Sequence, residues 1–157
     1  MGLTNVHGVA GLYRPARREV HGRVLDGRAL ADQVLRALKA ELAQASGPPP
    51  GLATVLVGAD PAALLFVAAK QRACREVGVA SFDHRLPADA TQRGLEERLA
   101  ELGADGRVSG IMLPLPLAEG LDARAALERI SPDKDVDGLT WLSSAHLATG
   151  TPALVPS

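Results

Sequence analysis

Lys70 stands out first, in the stretch Phe66-Val67-Ala68-Ala69-Lys70. The chain prefers arginine, and of its 17 basic side chains only Lys39, Lys70 and Lys134 are lysines. Arginine stays charged, whereas a lysine ammonium can give up a proton where its surroundings favour the neutral form. The commonest fate of a helical lysine is plain solvation, so proton exchange at Lys70 needs neighbours to support it. Phe66, one turn earlier, shares its helix face. A second candidate is Ser131-Pro132-Asp133-Lys134-Asp135-Val136-Asp137-Gly138, with three carboxylates in five residues, although Asp137-Gly138 could also be a simple turn. The third is Leu113-Pro114-Leu115-Pro116-Leu117. Its two prolines remove amide donors and stiffen the chain, leaving carbonyls and a fixed shape against which a flat ligand could lie.

Other chemistries are excluded or unsupported. The sequence has no G-x-G-x-x-G, P-loop or G-x-S-x-G. His7, His21, His84 and His146 are scattered without metal-ligand spacing. The single Cys74 excludes an intrachain disulfide and a cysteine-ligated metal; it reads as a packing residue and accords with a reducing compartment. A formal net charge of −1 gives no case for nucleic acid or an anionic membrane. No apolar run approaches the roughly 18 residues of a membrane span. Residues 1–21 lack a signal-peptide core, and Val6 stands where a myristoylation signal wants Ser or Thr. The expected organisation is a disordered arm at 1–21 and one cytoplasmic domain of ordinary size at 22–150.

The elements that must position these residues alternate. Leu30, Val34, Leu35, Leu38 and Leu42 recur at helical spacing behind Asp26 as cap, and the helix stops at Ser46-Gly47-Pro48-Pro49-Pro50-Gly51. A β-branched apolar run at 52–58 predicts a strand buried on both faces. Asp60-Pro61 opens a second helix reaching about Glu76, which Gly78 stops. A strand at 79–86, a helix from Thr91 to about Leu102, a strand at 108–115 and a helix from Asp122 to Ile130 follow. The pattern predicts an α/β fold, an open parallel βαβ sheet with helices on both faces. Ligands in such sheets gather at the carboxyl ends of strands, near Gly58–Pro61, the proline segment and the turn at 131–138.

Seven ordered stretches, from Arg23-Val24-Leu25-Asp26-Gly27 through Pro50-Gly51-Leu52-Ala53-Thr54-Val55-Leu56-Val57-Gly58, Phe66-Val67-Ala68-Ala69-Lys70 and the proline segment to Asp135-Val136-Asp137-Gly138, resemble the catalytic domain of the bifunctional methylenetetrahydrofolate dehydrogenase/methenyltetrahydrofolate cyclohydrolase family. The resemblance implies a folate-binding enzyme domain of one-carbon metabolism. Lys70 falls on the family's catalytic lysine, with a role in proton transfer during methenyl hydrolysis helped by burial and neighbours. Phe66, Leu115, Pro116 and Asp137 fall on substrate-binding positions, Asp137 beside the N–H donors of the pterin ring. The family's tyrosine is Phe66 here, its glutamine falls on Pro114 or, two residues earlier, on Met112, and a frequent serine is Ala63. The resemblance also places residues 151–157 at the start of a link to a cofactor domain. It therefore implies NADP for the full-length family, no cofactor bound by this chain and no hydride transfer by this chain alone. A homodimer is implied as a possible state. The alternative is a non-catalytic folate-binding or subunit-interaction remnant of the family.

Overall fold

A computed structural model of the protein describes residues 25–151. The expected arm at 1–21, and all but the first residue of the expected link at 151–157, lie outside the described residues.

Chain order is α1 (Gly27–Gln44), β1 (Gly51–Val57), α2 (Pro61–Val77), β2 (Ala80–Leu86), α3 (Gln92–Ala104), β3 (Gly110–Met112), α4 (Ala123–Leu127), a 3-10 turn (Pro132–Lys134) and α5 (Trp141–Thr149). The starts follow the capping chemistry. Asp26, Asp60, Thr91, Asp122 and Thr140 each accept, through a side-chain oxygen, an amide that the first helical turn leaves unpaired. Gly78 ends α2 at a φ of +93°, a left-handed conformation that glycine adopts without steric penalty.

The three strands are all parallel, in the order β2-β1-β3. Their alternation divides the core. Ala53 and Val55 of β1, with Ile111 and Leu113, join Leu95 and Leu99 of α3 and Ala126 of α4 on one face. Thr54, Leu56 and Met112 alternate onto the opposite face, where α2 buries Val67, Cys74 and Val77. The expectation of a central strand buried on both faces and an open parallel sheet is met. Gln92 fastens α3 to α4: its Oε1 accepts the Asp122 amide at 2.9 Å, and its Nε2 donates to the Asp122 carbonyl at 3.2 Å.

Two expectations need correction. β3 spans Gly110–Met112 rather than 108–115. It pairs with β1 on one side and makes a single parallel bridge, Ile111 with Asp135, on the other, and Pro114 and Pro116 cannot donate to a ladder. α4 ends at Leu127 rather than Ile130, passing into turns closed by Arg129 N–H to Ala126 and Ile130 N–H to Leu127. α1 has the amphipathic spacing of a core helix but buries none of its residues, and Leu30 and Val34 are 62% and 55% exposed. It lies against α2.

The topology decides where a ligand can lie. The chain leaves β1 through α2 to β2 on one flank, then crosses through α3 to β3 on the other. Right-handed crossovers put α2 and α3 on opposite faces, so the loops after β1 and β3 part and leave a crevice at their carboxyl ends.

Candidate active site

That crevice is a cavity of about 830 Å³. One wall is the β1–α2 loop, Gly58 to Asp60, with Ala63 and Phe66 of α2; the other is Met112 to Ala118, and Asp137 and Leu139 complete the lining. Gly58 turns the loop at a φ of +77°, its N–H donating to the Leu86 carbonyl at 2.9 Å. Asp60 then caps α2 by accepting the Ala63 amide at 2.8 Å. The walls are mostly apolar, and Leu115 and Pro116, joined by a cis peptide bond, stand exposed on the proline side.

Lys70 lies one turn beyond Phe66, its Nζ 5.7 Å from the ring centroid, within range of a cation–π contact. It borders a second cavity of about 370 Å³, reached by Leu35 and Leu38 of α1 and by Cys74 of α2. Met112 and Asp137 line both cavities, so Lys70 meets the large cleft across a seam made by those two residues. Phe66 and Asp137 thus line the large cleft together, with Lys70 beside the adjoining cavity. The expected burial of Lys70 is not met, because its side chain is exposed. With phenylalanine at position 66, the nearest turn offers the ammonium a ring face in place of a hydroxyl.

The three carboxylates of the Asp-rich turn have separate fates. Asp133 is exposed. Asp135 is 1% exposed: Oδ2 accepts the Thr140 amide and the Ser143 hydroxyl, each at 2.8 Å, and Oδ1 accepts the Leu139 amide at 3.2 Å. Burial alone would raise its carboxyl, but these hydrogen bonds outweigh it and hold Asp135 below the ordinary range. Asp137, two residues on and half-buried, has no such set of donors. Burial pushes its carboxyl up, Lys70 pulls it down and Asp135 pushes it up again, with a net rise. Gly138 closes the turn at a φ of +63°.

Lys134 anchors the same turn from the other side, its Nζ donating to the carbonyls of Gly103 at 2.8 Å and Asp105 at 3.0 Å at the end of α3. These supports are not among the expected site residues. The one legible signal was Thr140-x-x-Ser143, an N-cap spacing just after the Asp-rich turn. Among the described residues, no group of three or more His, Cys, Asp or Glu side chains could hold a metal ion, and no helix is long and apolar enough to cross a membrane.

Similarity to known proteins agrees with this geometry. The family model for the tetrahydrofolate dehydrogenase/cyclohydrolase catalytic domain matches residues 25–137. The chain is 48% identical over 136 residues to bifunctional protein FolD 2 of Frankia casuarinae and 49% identical over 141 residues to bifunctional protein FolD of Sphingopyxis alaskensis. These matches cover 85% of this chain but 47% and 45% of the relatives, so the chain spans about half their length. Among solved structures, it superposes on the bifunctional FolD methylenetetrahydrofolate dehydrogenase/cyclohydrolase of Campylobacter jejuni with a TM-score of 0.82 at 33% identity, covering 85% of this chain and 49% of that one. The Trypanosoma brucei enzyme, solved with NADP cofactor and inhibitor, gives 0.77 at 33% identity, covering 80% and 43%. The chain belongs to the tetrahydrofolate dehydrogenase/cyclohydrolase family, as its catalytic domain.

Proposed function

We propose that the large cleft binds a reduced folate of one-carbon metabolism and that Lys70 moves the proton when a methenyl carbon is hydrolysed there. The observation that carries this reading is that Phe66 and Asp137 line the crevice at the carboxyl ends of β1 and β3, with Lys70 one turn beyond Phe66 and beside a second cavity that shares Asp137. A flat ring lies between Phe66 and the wall formed by Leu115 and Pro116, and the Asp137 carboxylate accepts its edge N–H groups. In the reaction, water oxygen bonds to the methenyl carbon and one proton leaves. A carbon–nitrogen bond then breaks as the remaining hydroxyl proton is lost and that nitrogen takes a proton, leaving a formyl product and, in sum, one proton released to solvent. Lys70 accepts the first proton and returns it to that nitrogen as a general base and acid. Phe66 supplies no hydroxyl and Met112 no amide to orient it. Since a single positioned donor is worth roughly 3 kcal/mol at a transition state, turnover is slow.

The nicotinamide cofactor named with the Trypanosoma brucei structure does not fit the residues described here. The helix end facing the cleft, that of α2, already holds the Asp60 carboxylate on its Ala63 amide and begins with Pro61, so it offers a phosphate no favourable charge. The buried free thiol of Cys74 accords with a reducing compartment such as the cytoplasm.

The test is the loss of methenyltetrahydrofolate absorbance above the uncatalysed rate, for the chain and for Lys70→Met. The expected result is slow hydrolysis that the substitution abolishes. Because Lys70 is exposed and faces a ring rather than a polar partner, a second reading has its own support: folate binding without turnover. Equal rates at the blank for both folded proteins, with tetrahydrofolate still binding, would decide for that reading.

A further inference from the structure

We propose that Asp135 is a positioning residue, whose buried carboxylate, tied to the start of α5, fixes the turn that carries Asp137 into the cleft. The proposal rests on the reading above, in which Asp137 meets the ligand.

The turn is short and held at three consecutive residues. Lys134 fastens its first part to the end of α3. The backbone of Asp135 bridges Ile111 of β3, and its side chain gathers Leu139, Thr140 and Ser143. The Val136 side chain rests where Gly110 has no Cβ, so closely that any Cβ there would collide with Val136 Cγ1. Asp137 follows with no anchor of its own among the described hydrogen bonds, and Gly138 reverses the chain behind it. Its carboxylate is therefore placed by its neighbours, and the strongest of those holds is the only fully buried carboxylate among the described residues. Thr140 Oγ1 donates to Ser143 Oγ at 2.9 Å while Ser143 donates onward to Asp135, so the network also sets where α5 begins. An enclosed, fully satisfied polar network of this kind stiffens what it holds.

Tetrahydrofolate dissociation constants are measured for the chain, Asp135→Asn, Asp137→Asn and the double variant, with thermal melting to confirm folding. Asp135→Asn is expected to weaken binding about tenfold, an ordinary coupling for residues within one network, and to weaken it no further once Asp137 is already Asn. Unchanged binding in Asp135→Asn, or additive effects in the double variant, overturns the proposal. Ser143→Ala serves where Asp135→Asn does not fold, because it keeps the Asp135 charge and removes one of its donors.

A ligand-free measurement separates the proposal from the folate reading. The groups that bear on the Asp137 carboxyl are Lys70 from α2 and Asp135 from its own turn. In a carbon-13 titration, Ser143→Ala should shift Asp137 downward as the loosened turn releases it to solvent, and Ser143→Thr should restore it. An Asp137 titration indifferent to Ser143→Ala overturns the positioning role, whether or not folate binds. A shifted titration with no folate binding by any variant instead overturns the folate reading and keeps the positioning role.

Discussion

Replacing Gly110 with alanine tests how the fold presents Asp137, and its size follows from the packing around one missing methyl. A Cβ built at Gly110 would overlap Val136 Cγ1 and stand 3.7 Å from Leu52 Cδ1. Gly110 is buried, within the strand that pairs with β1, so its backbone cannot withdraw without breaking the ladder. Val136 must move instead, and it is flanked by the anchored Asp135 and by Asp137. Overpacking of this kind costs typically 1–3 kcal/mol, which for a domain of this size lowers Tm by roughly 3–10 °C. The control is Gly103→Ala in α3, where an added Cβ meets nothing within 4 Å. There the helical preference for alanine should raise stability by about 0.5–1 kcal/mol. Urea melts of both variants, with tetrahydrofolate binding alongside, give the answer. The expected pattern is opposite signs in stability, with binding lost only in Gly110→Ala. Gly110→Ala melting with the wild type and binding normally would refute the argument that Val136 relays the packing of β3 to Asp137.

Asp137→Asn should stabilise the free protein at neutral pH while weakening folate binding to a still measurable level. Its folded carboxyl is raised, so its favourable contribution is present below the unfolded value and is lost as pH rises through the folded one; urea melts at pH 4 and pH 8 should show the variant's advantage growing with pH. Asp135 has the opposite sign. Its folded carboxyl is lowered, so its contribution is present above the unfolded value and lost as pH falls through the folded one, and Asp135→Asn should flatten the acid limb of the stability profile. Leu30 and Val34 of α1, and Trp141 and Leu147 of α5, are exposed, so the chain should self-associate at tens of micromolar; a single monomeric boundary in sedimentation velocity would contradict this.

Much of the fold was legible in the sequence because its signals were local. Asp60-Pro61 and Gly78 bracket α2 within a residue of the expected helix, and the run at 52–58 is the central strand to within one residue at each end. What the sequence could not convey was set by distant partners. The apolar stripe of α1 has helical spacing, but spacing does not say whether another element covers it. Trp141–Thr149 presents Trp141 and Leu147 to solvent, which blurs the periodicity that would have marked α5. The site divides in the same way. Phe66 and Lys70 share a face because they lie four apart on one helix, whereas the division of labour between Asp135 and Asp137 depends on donors contributed by α5. Nothing in residues 131–138 alone distinguishes the carboxylate that holds the turn from the one that faces the cleft.

Among the described residues, the strand order leaves β2 at one margin of the sheet, hydrogen-bonded to β1 alone. An unpaired strand margin is a template on which a second chain can extend the sheet. Here the exposed positions of β2 are Asp83 and Arg85. Charged side chains at two of its seven positions disfavour the addition of a further strand. That protection weakens as salt rises, since the Debye length shrinks to about 3 Å at molar ionic strength.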